Sequence, residues 1–206
     1  MSRRSKDEDF DTRIDVLRTR IKDSDDLNVQ DAVFDKRTLM DLYSLASKGI
    51  IDALGGSICT GKEANIFRAL VGSRELALKI YRISTSNFNV MQDYLHGDPR
   101  FGSVKGTKRA IVAAWTRKEY RNLMRAEEVG VRVPHPITMK ENILVMDLIG
   151  KGDYVAPPLK DVELDSAEAE QIYQKIVEYI SLLCNQAGLV HADLSEFNIL
   201  YDDGEP

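Results

Sequence analysis

Leu189-Val190-His191-Ala192-Asp193-Leu194-Ser195-Glu196-Phe197-Asn198-Ile199-Leu200 is the stretch from which the rest of the chain is best read. It sets Asp193 and Asn198 between two short apolar runs. The run at Val190 is expected as one brief strand and Ile199-Leu200-Tyr201 as another, so the polar residues fall on the connecting loop. A loop held by buried elements on both sides keeps its side chains in place and suits chemistry. Two polar residues at one spacing also arise by chance, so the weight of this stretch depends on what stands upstream.

The 206 residues allow one large domain or two small lobes. With 43% hydrophobic and 30% charged residues the composition is that of a soluble globular protein. No apolar run approaches the roughly 20 residues of a membrane span, and the charged N-terminus lacks the apolar core of a secretory signal. Cys59 and Cys184 stand far apart without flanking His or Cys, which excludes a disulfide framework and a zinc cluster. A cytoplasmic protein that does not engage a membrane is expected. The net charge of −5 hides a basic band of Arg100, Lys105, Lys108, Arg109, Arg117, Lys118, Arg121 and Arg125, interrupted by Glu119. Two readings of it stand, a solvated helix face or a surface for phosphates and nucleic acid.

Residues 1–34 are dense in charge and are expected to be flexible. Leu39, Leu42, Tyr43, Leu45 and Ala46 recur at helical spacing before Gly49, which predicts a helix ending there. Residues 50–54 then read as a first strand. In Gly55-Gly56-Ser57-Ile58-Cys59-Thr60-Gly61-Lys62-Glu63-Ala64-Asn65 the glycines let the backbone approach phosphate oxygens with its N–H groups. The first part of a P-loop is present, but Glu63 replaces its metal-binding hydroxyl and no helix follows. A hairpin with the glycine-rich loop as its tip is the better reading.

In Glu75-Leu76-Ala77-Leu78-Lys79-Ile80-Tyr81, Leu76, Leu78 and Ile80 face one way and Ala77, Lys79 and Tyr81 the other. A lysine in a half-buried strand calls for a carboxylate partner. Ala77 leaves room for a flat ligand on the lysine's face. A polar stretch from Ser84 to about Thr107 follows, with a short helix expected near residues 90–95. Over residues 109–128, Val112, Trp115, Glu119 and Leu123 share one helical face, so Glu119 lies in an apolar stripe and becomes the expected partner of Lys79. Gly130 ends the helix. His135, between two prolines, reads as structural. The apolar run of residues 142–149 is expected as a strand entering a glycine-bearing linker, where composition turns acidic. The domain expectations are therefore residues 1–34, 35–149 and 150–206. Asp165-Ser166 opens a last helix with Glu168 in its first turn; Ile172, Ile176, Ile180 and Leu183, with Val177 beside them, form its expected buried stripe. Gly188 ends it, and Cys184 is expected to pack inside.

Taken together, the glycine hairpin, Lys79, Glu119, the linker after Met146, and Asp193 with Asn198 follow the order of protein-kinase parts. The wording of Thr60-Gly61-Lys62-Glu63-Ala64-Asn65, Lys79-Ile80-Tyr81, Gly97-Asp98-Pro99-Arg100-Phe101 and His191-Ala192-Asp193-Leu194-Ser195-Glu196-Phe197-Asn198 resembles the Rio family of atypical serine protein kinases, in its Rio-one branch. The resemblance spans about residues 35–201. It implies an α+β, bilobal kinase-like fold, with an antiparallel N-lobe sheet and a helical C-lobe. It also implies ATP with magnesium, manganese being an alternative, and phosphoryl transfer to a protein serine, to the chain itself, or to water.

By the same resemblance, Asp193, Lys79 and Glu119 are catalytic and Asn198 holds the metal. Ile58, Gly61, Lys62, Ala77, Lys79, Met146, Asp147, Ile149 and Glu196 bind the nucleotide. The setting implied is maturation of the small ribosomal subunit, with the basic band of residues 100–125 meeting a pre-ribosomal particle or its RNA. Ser103 and Thr107 are weak candidates for self-phosphorylation. Cys59 departs from the family's small hydroxyl residue. The second metal-binding Asp and its strand are missing after Asp203-Gly204, a hairpin-turn signal. A truncated chain that binds nucleotide but turns it over poorly is therefore expected. The alternative is a nucleotide-regulated module that associates with ribosome or RNA without turnover.

Overall fold

A computed structural model of the chain describes residues 34–83, 91, 93 and 107–206. The expectations for the charged N-terminal segment, for the short helix near residues 90–95, and for Gly97, Asp98, Pro99, Arg100, Phe101, Ser103 and Lys105 lie outside the described residues. Two compact units emerge, one from the residues up to Lys118 with Ile137–Met146, the other from Glu119–Pro136 with Asp147–Pro206. The division falls within a helix and after Met146.

The first unit opens on helix α1, Lys36–Ser47. Its start is set by Asp35, which is extended and whose carboxylate accepts the Thr38 N–H at 2.8 Å. Its end is a Schellman closure. Gly49 takes φ 68°, its N–H donates to Ala46 O at 3.0 Å, and Ile50 N–H donates to Leu45 O at 3.1 Å. Phe34, expected in the flexible segment, instead lays its ring 5.1 Å from that of Phe67.

Five strands follow: β1 (Ala53–Thr60), β2 (Ala64–Val71), β3 (Arg74–Tyr81), β4 (Pro136–Lys140) and β5 (Ile143–Asp147), in the order β1-β2-β3-β5-β4. The first strand is displaced from the expected residues 50–54. Ile51 is buried, yet Asp52 is a lead-in whose N–H reaches Leu70 O and whose carboxylate accepts Gly72 N–H. The apolar run marked burial rather than strand. Gly72, with φ 58°, takes the first central position of the two-residue β2–β3 turn, a place that glycine fills without strain.

Strand β3 runs through the core and has both faces covered. Leu76, Leu78 and Ile80 are fully buried with Leu42, Leu45, Phe67 and Val145, while Tyr81 packs with Met91, Ile111, Val112 and Ala114. Each such buried side chain stabilises the fold by about 1.5–3 kcal/mol. The opposite-face assignment made from the alternation holds. Helix α2, Lys108–Glu128, matches its expected span and ends in a second Schellman closure at Gly130, φ 85°.

In the second unit, the linker after β5 folds into a tight hairpin of β6 (Gly150–Lys151) and β7 (Tyr154–Val155). Gly150 adopts φ 135°, and a Cβ there would stand 2.4 Å from Tyr154 O, so only glycine fits. A 3₁₀ turn, Leu159–Asp161, precedes helix α3, Ser166–Leu182. Helix α3 opens on a complete capping box: Asp165 accepts the Glu168 N–H at 2.9 Å, and Glu168 accepts the Asp165 N–H at 2.9 Å. It continues as a π-helical turn, Leu183–Ala187, and stops at Gly188, φ 59°.

Here the expected stripe is only partly buried. Ile172 is enclosed, but Val177 and Ile180 are 42% and 40% exposed, and Cys184 is exposed rather than packed inside. Periodicity tells which face is apolar; burial depends on the neighbours that meet it. No helix among the described residues is long and apolar enough to cross a membrane.

Candidate active site

The glycine-rich segment is built differently from the loop expected. Gly55 and Gly56 lie inside β1, where two β-bulges interrupt the register: Leu54 pairs with Ala69, Ser57 with Phe67, and Cys59 with Ile66. Each bulge places an extra residue on β1 and bends it. A Cβ on Gly55 would fall 3.3 Å from that of Arg68. The true tip is Gly61-Lys62-Glu63, between Thr60 and Ala64. Gly61 N–H donates to Ala64 O at 3.0 Å, and a Cβ on Gly61 would meet that oxygen at 2.9 Å. The turn therefore closes so tightly on itself that only glycine fits at Gly61 without a shift.

Lys62 is exposed at the tip and Ile58 half-buried at the second bulge. Ala77 is 5% exposed and Met146 8%, so both are enclosed. Lys79 is half-buried on β3, opposite Ile66 on β2, with its Nζ 5.3 Å from the centre of the Tyr81 ring. All six residues belong to the first unit.

The second unit carries the others. Glu119 is half-buried on α2. Asp147 donates its N–H to His135 O at 2.9 Å, and the Ile149 carbonyl accepts Ala156 N–H at 3.0 Å, which fixes the linker's path. His135 also meets Glu127 at 2.8 Å on the surface, in keeping with a structural role.

The loop after Gly188 brings Asp193 and Asn198 together. The Asn198 amide nitrogen donates to Asp193 O at 2.7 Å and to its carboxylate at 3.1 Å. The amide oxygen is then the atom left to face a cation, and it is the hard type of ligand that magnesium takes. Among the described residues no group of three or more His, Cys, Asp and Glu side chains is gathered for a metal. Asp193 N–H points to His191 Nδ1 at 3.3 Å. Ala192 sits at φ 65°, a left-handed conformation uncommon for a residue with a side chain. Asp193 is exposed.

The flanks are not the buried strands expected. Val190 is 79% exposed, and Leu200 forms only an isolated bridge with Pro158. The loop is instead pinned by main-chain bonds to the segment before α3. Leu159 N–H donates to Ile199 O at 2.8 Å, Lys160 N–H to Glu196 O at 3.1 Å, and Tyr201 N–H to Pro157 O at 2.9 Å. Glu196, expected at the nucleotide, is exposed, with its carbonyl used in this brace. Beneath the loop's start lies an apolar hollow of about 160 Å³, lined by Ile180, Leu183, Cys184 and Leu194 among others. From α2, the Arg125 guanidinium grips Ala187 O at the end of the π-turn. Neither the Pro157–Lys160 brace nor Arg125 has a local sequence signal, since both act through contacts distant in the chain.

Residues 65–206 match the RIO domain family model. The chain belongs to the RIO domain family. It is 48% identical over 203 residues to the RIO-type serine/threonine-protein kinase Rio1 of Haloferax volcanii, covering 98% of this chain and 68% of that one. It is 42% identical to the human serine/threonine-protein kinase RIO1, covering 90% of this chain and 33% of the relative. The chain thus spans about two thirds of the archaeal protein and a third of the human one. Among solved structures, the Rio2 kinase–ADP/Mg2+–phosphoaspartate complex from Chaetomium thermophilum superposes with TM-score 0.61 at 28% identity, covering 79% of this chain and 45% of that one. The expected Rio-type, kinase-like α+β fold is therefore borne out, and the RIO relatives named here are serine/threonine-protein kinases.

Proposed function

We propose that this RIO chain carries the nucleotide-binding and phosphoryl-transfer residues of a serine protein kinase or ATPase dependent on ATP and magnesium. The observation that supports it most is the Asp193–Asn198 contact, in which the Asn198 amide nitrogen donates to the Asp193 carboxylate and so leaves the amide oxygen as the group available to a hard cation. Asp193 orients the attacking hydroxyl and accepts its proton. Lys79, steadied by Glu119, draws the phosphates under the β1–β2 tip, with Gly61 and Lys62 contributing backbone and charge. Ile58, Ala77 and Met146 form the apolar slot for the base, whose edge is read by the Asp147 carbonyl and the Ile149 N–H; Glu196 lies on the nucleotide side. Asn198 would hold magnesium, or manganese in its place, which when bound neutralises charge on the phosphates. The acceptor is a serine of a protein or of the chain itself, or water. Lys108, Arg117, Lys118 and Arg121 form a basic stretch suited to the RNA of a pre-small-subunit particle, while Arg109 and Arg125 of the same band are engaged by Asp35 and the Ala187 carbonyl.

The test is binding of a magnesium–ATP analogue by calorimetry together with phosphate release. Lys79→Ala is expected to weaken binding about tenfold or more. Asp193→Ala is expected to retain binding while losing whatever phosphate release the parent shows. Equal release from Asp193→Ala and parent refutes the role of Asp193. RNA association indifferent to nucleotide and to Lys79→Ala would favour a binding module instead.

A further inference from the structure

We infer that Asn65 and Arg82 form a clasp that holds the tip of the β1–β2 hairpin in its phosphate-receiving shape, an inference that rests on the nucleotide-binding reading above. Asn65 is completely buried on β2, opposite Thr60 on β1 and Ile80 on β3. Its side-chain oxygen accepts two bonds from the Arg82 guanidinium, from Nε at 3.1 Å and Nη2 at 2.8 Å. Arg82 stands just past the end of β3, and its backbone N–H donates to Glu63 O at 2.8 Å. That bond prolongs the β2–β3 ladder beyond its last pair, Ala64 with Tyr81, and fastens the far side of the tip. The near side is fastened by Gly61 N–H on Ala64 O. Gly61-Lys62-Glu63 is thus tied at both ends, and the fork from Arg82 to Asn65 locks the second tie.

The other half of the Asn65 amide sharpens the assignment. Its nitrogen is buried with no hydrogen-bond partner among the described residues, a cost that a residue serving only to fill space would avoid. What asparagine offers here is an uncharged acceptor for a guanidinium. An aspartate would supply the same bonds but bring negative charge to a loop meant for phosphates. Arg82 directly follows the strand that carries Lys79, so the clasp fixes the tip against the end of the lysine's own strand. Both are positioning residues; neither is argued to touch the nucleotide.

The experiment compares the full 206-residue chain with Arg82→Met, Arg82→Lys, Asn65→Leu and the double variant Asn65→Leu/Arg82→Met. Two readouts are taken: amide hydrogen exchange without ligand, and calorimetric binding of a magnesium–ATP analogue. In Arg82→Met the Gly61 and Arg82 amides should exchange faster while those of Leu78 and Ile80 keep their protection. The dissociation constant should rise about tenfold, with Arg82→Lys in between. The double variant should be no worse than Arg82→Met alone, because each single change removes the same bonds. Unchanged exchange at Gly61 and Arg82 overturns the clasp. So does faster exchange with unaltered affinity, or additive effects in the double variant. A parent chain that fails to bind the analogue refutes the nucleotide reading instead, and the exchange measurement still judges the clasp.

Discussion

Replacing Asp35 should reveal how the first unit secures its leading helix. Two interactions converge on its carboxylate: it caps α1 through the Thr38 N–H, and it pairs with Arg109 in the first turn of α2. Removing the cap costs about 1 kcal/mol. The ion pair adds less than its contact geometry implies, because Asp35 is 48% exposed while Arg109 is 14% exposed; about 0.5–1 kcal/mol is a discounted figure. Asp35→Ala should therefore lose about 1.5–2 kcal/mol, and Asp35→Asn, which still caps, only about 0.5–1.

The loss should also depend on pH. Burial works to raise the Asp35 carboxyl, but the Thr38 hydrogen bonds and the Arg109 guanidinium outweigh it and hold it below the usual 3.8. A depressed folded-state value means that the contribution is complete above 3.8 and disappears as pH falls through the lowered value. Urea unfolding can be followed by the fluorescence of Trp115, the single tryptophan, which packs against the Tyr81–Val112 cluster of this unit. With a slope of about 2 kcal/mol per molar, Asp35→Ala should lower the midpoint by nearly 1 M at neutral pH. The difference should shrink as the pH falls below 3.8 and through the lowered value. The reasoning is refuted if Asp35→Asn is as damaging as Asp35→Ala, or if the difference persists undiminished in acid.

Leu78→Ala removes a fully buried side chain from the centre of the sheet and should destabilise the same fluorescence transition by about 3 kcal/mol; a loss under about 1 kcal/mol would show that the core relaxes around the gap. Gly150→Ala should destabilise the second unit by about 2–4 kcal/mol, since the new Cβ meets Tyr154 O at 2.4 Å. Hydrogen exchange at the Ala156 amide, which closes the β6–β7 hairpin on Ile149 O, should accelerate accordingly.

What the sequence disclosed and what it withheld separate along the range of the interactions. The ends of helices α1, α2 and α3 were readable because their causes are local: Asp165 and Glu168 cap α3 within four residues, and Gly49, Gly130 and Gly188 turn left-handed where these helices stop. The split of β3 into two faces was readable because alternation is a property of the strand itself. The bulges at Gly55-Gly56 and Ile58 were not, since a register is defined only against β2. Nor was the support of the Asp193 loop. Its apolar flanks read as buried strands, yet the restraint comes from the N–H groups of Leu159 and Lys160, remote in sequence. The exposed Val177 and Ile180 show the same limit from the other side, for an apolar stripe names a face without naming what covers it.

Strand β1 lies at one edge of the sheet. An unpaired edge offers its backbone groups to any passing strand, and edge-to-edge addition is a common route to aggregation. The two bulges that bend β1 around Gly55, Gly56 and Ile58 also break the regular spacing that such a template needs. The distortion therefore guards the chain against self-association along that edge. Straightening β1 would be expected to make that edge a better template for strand addition.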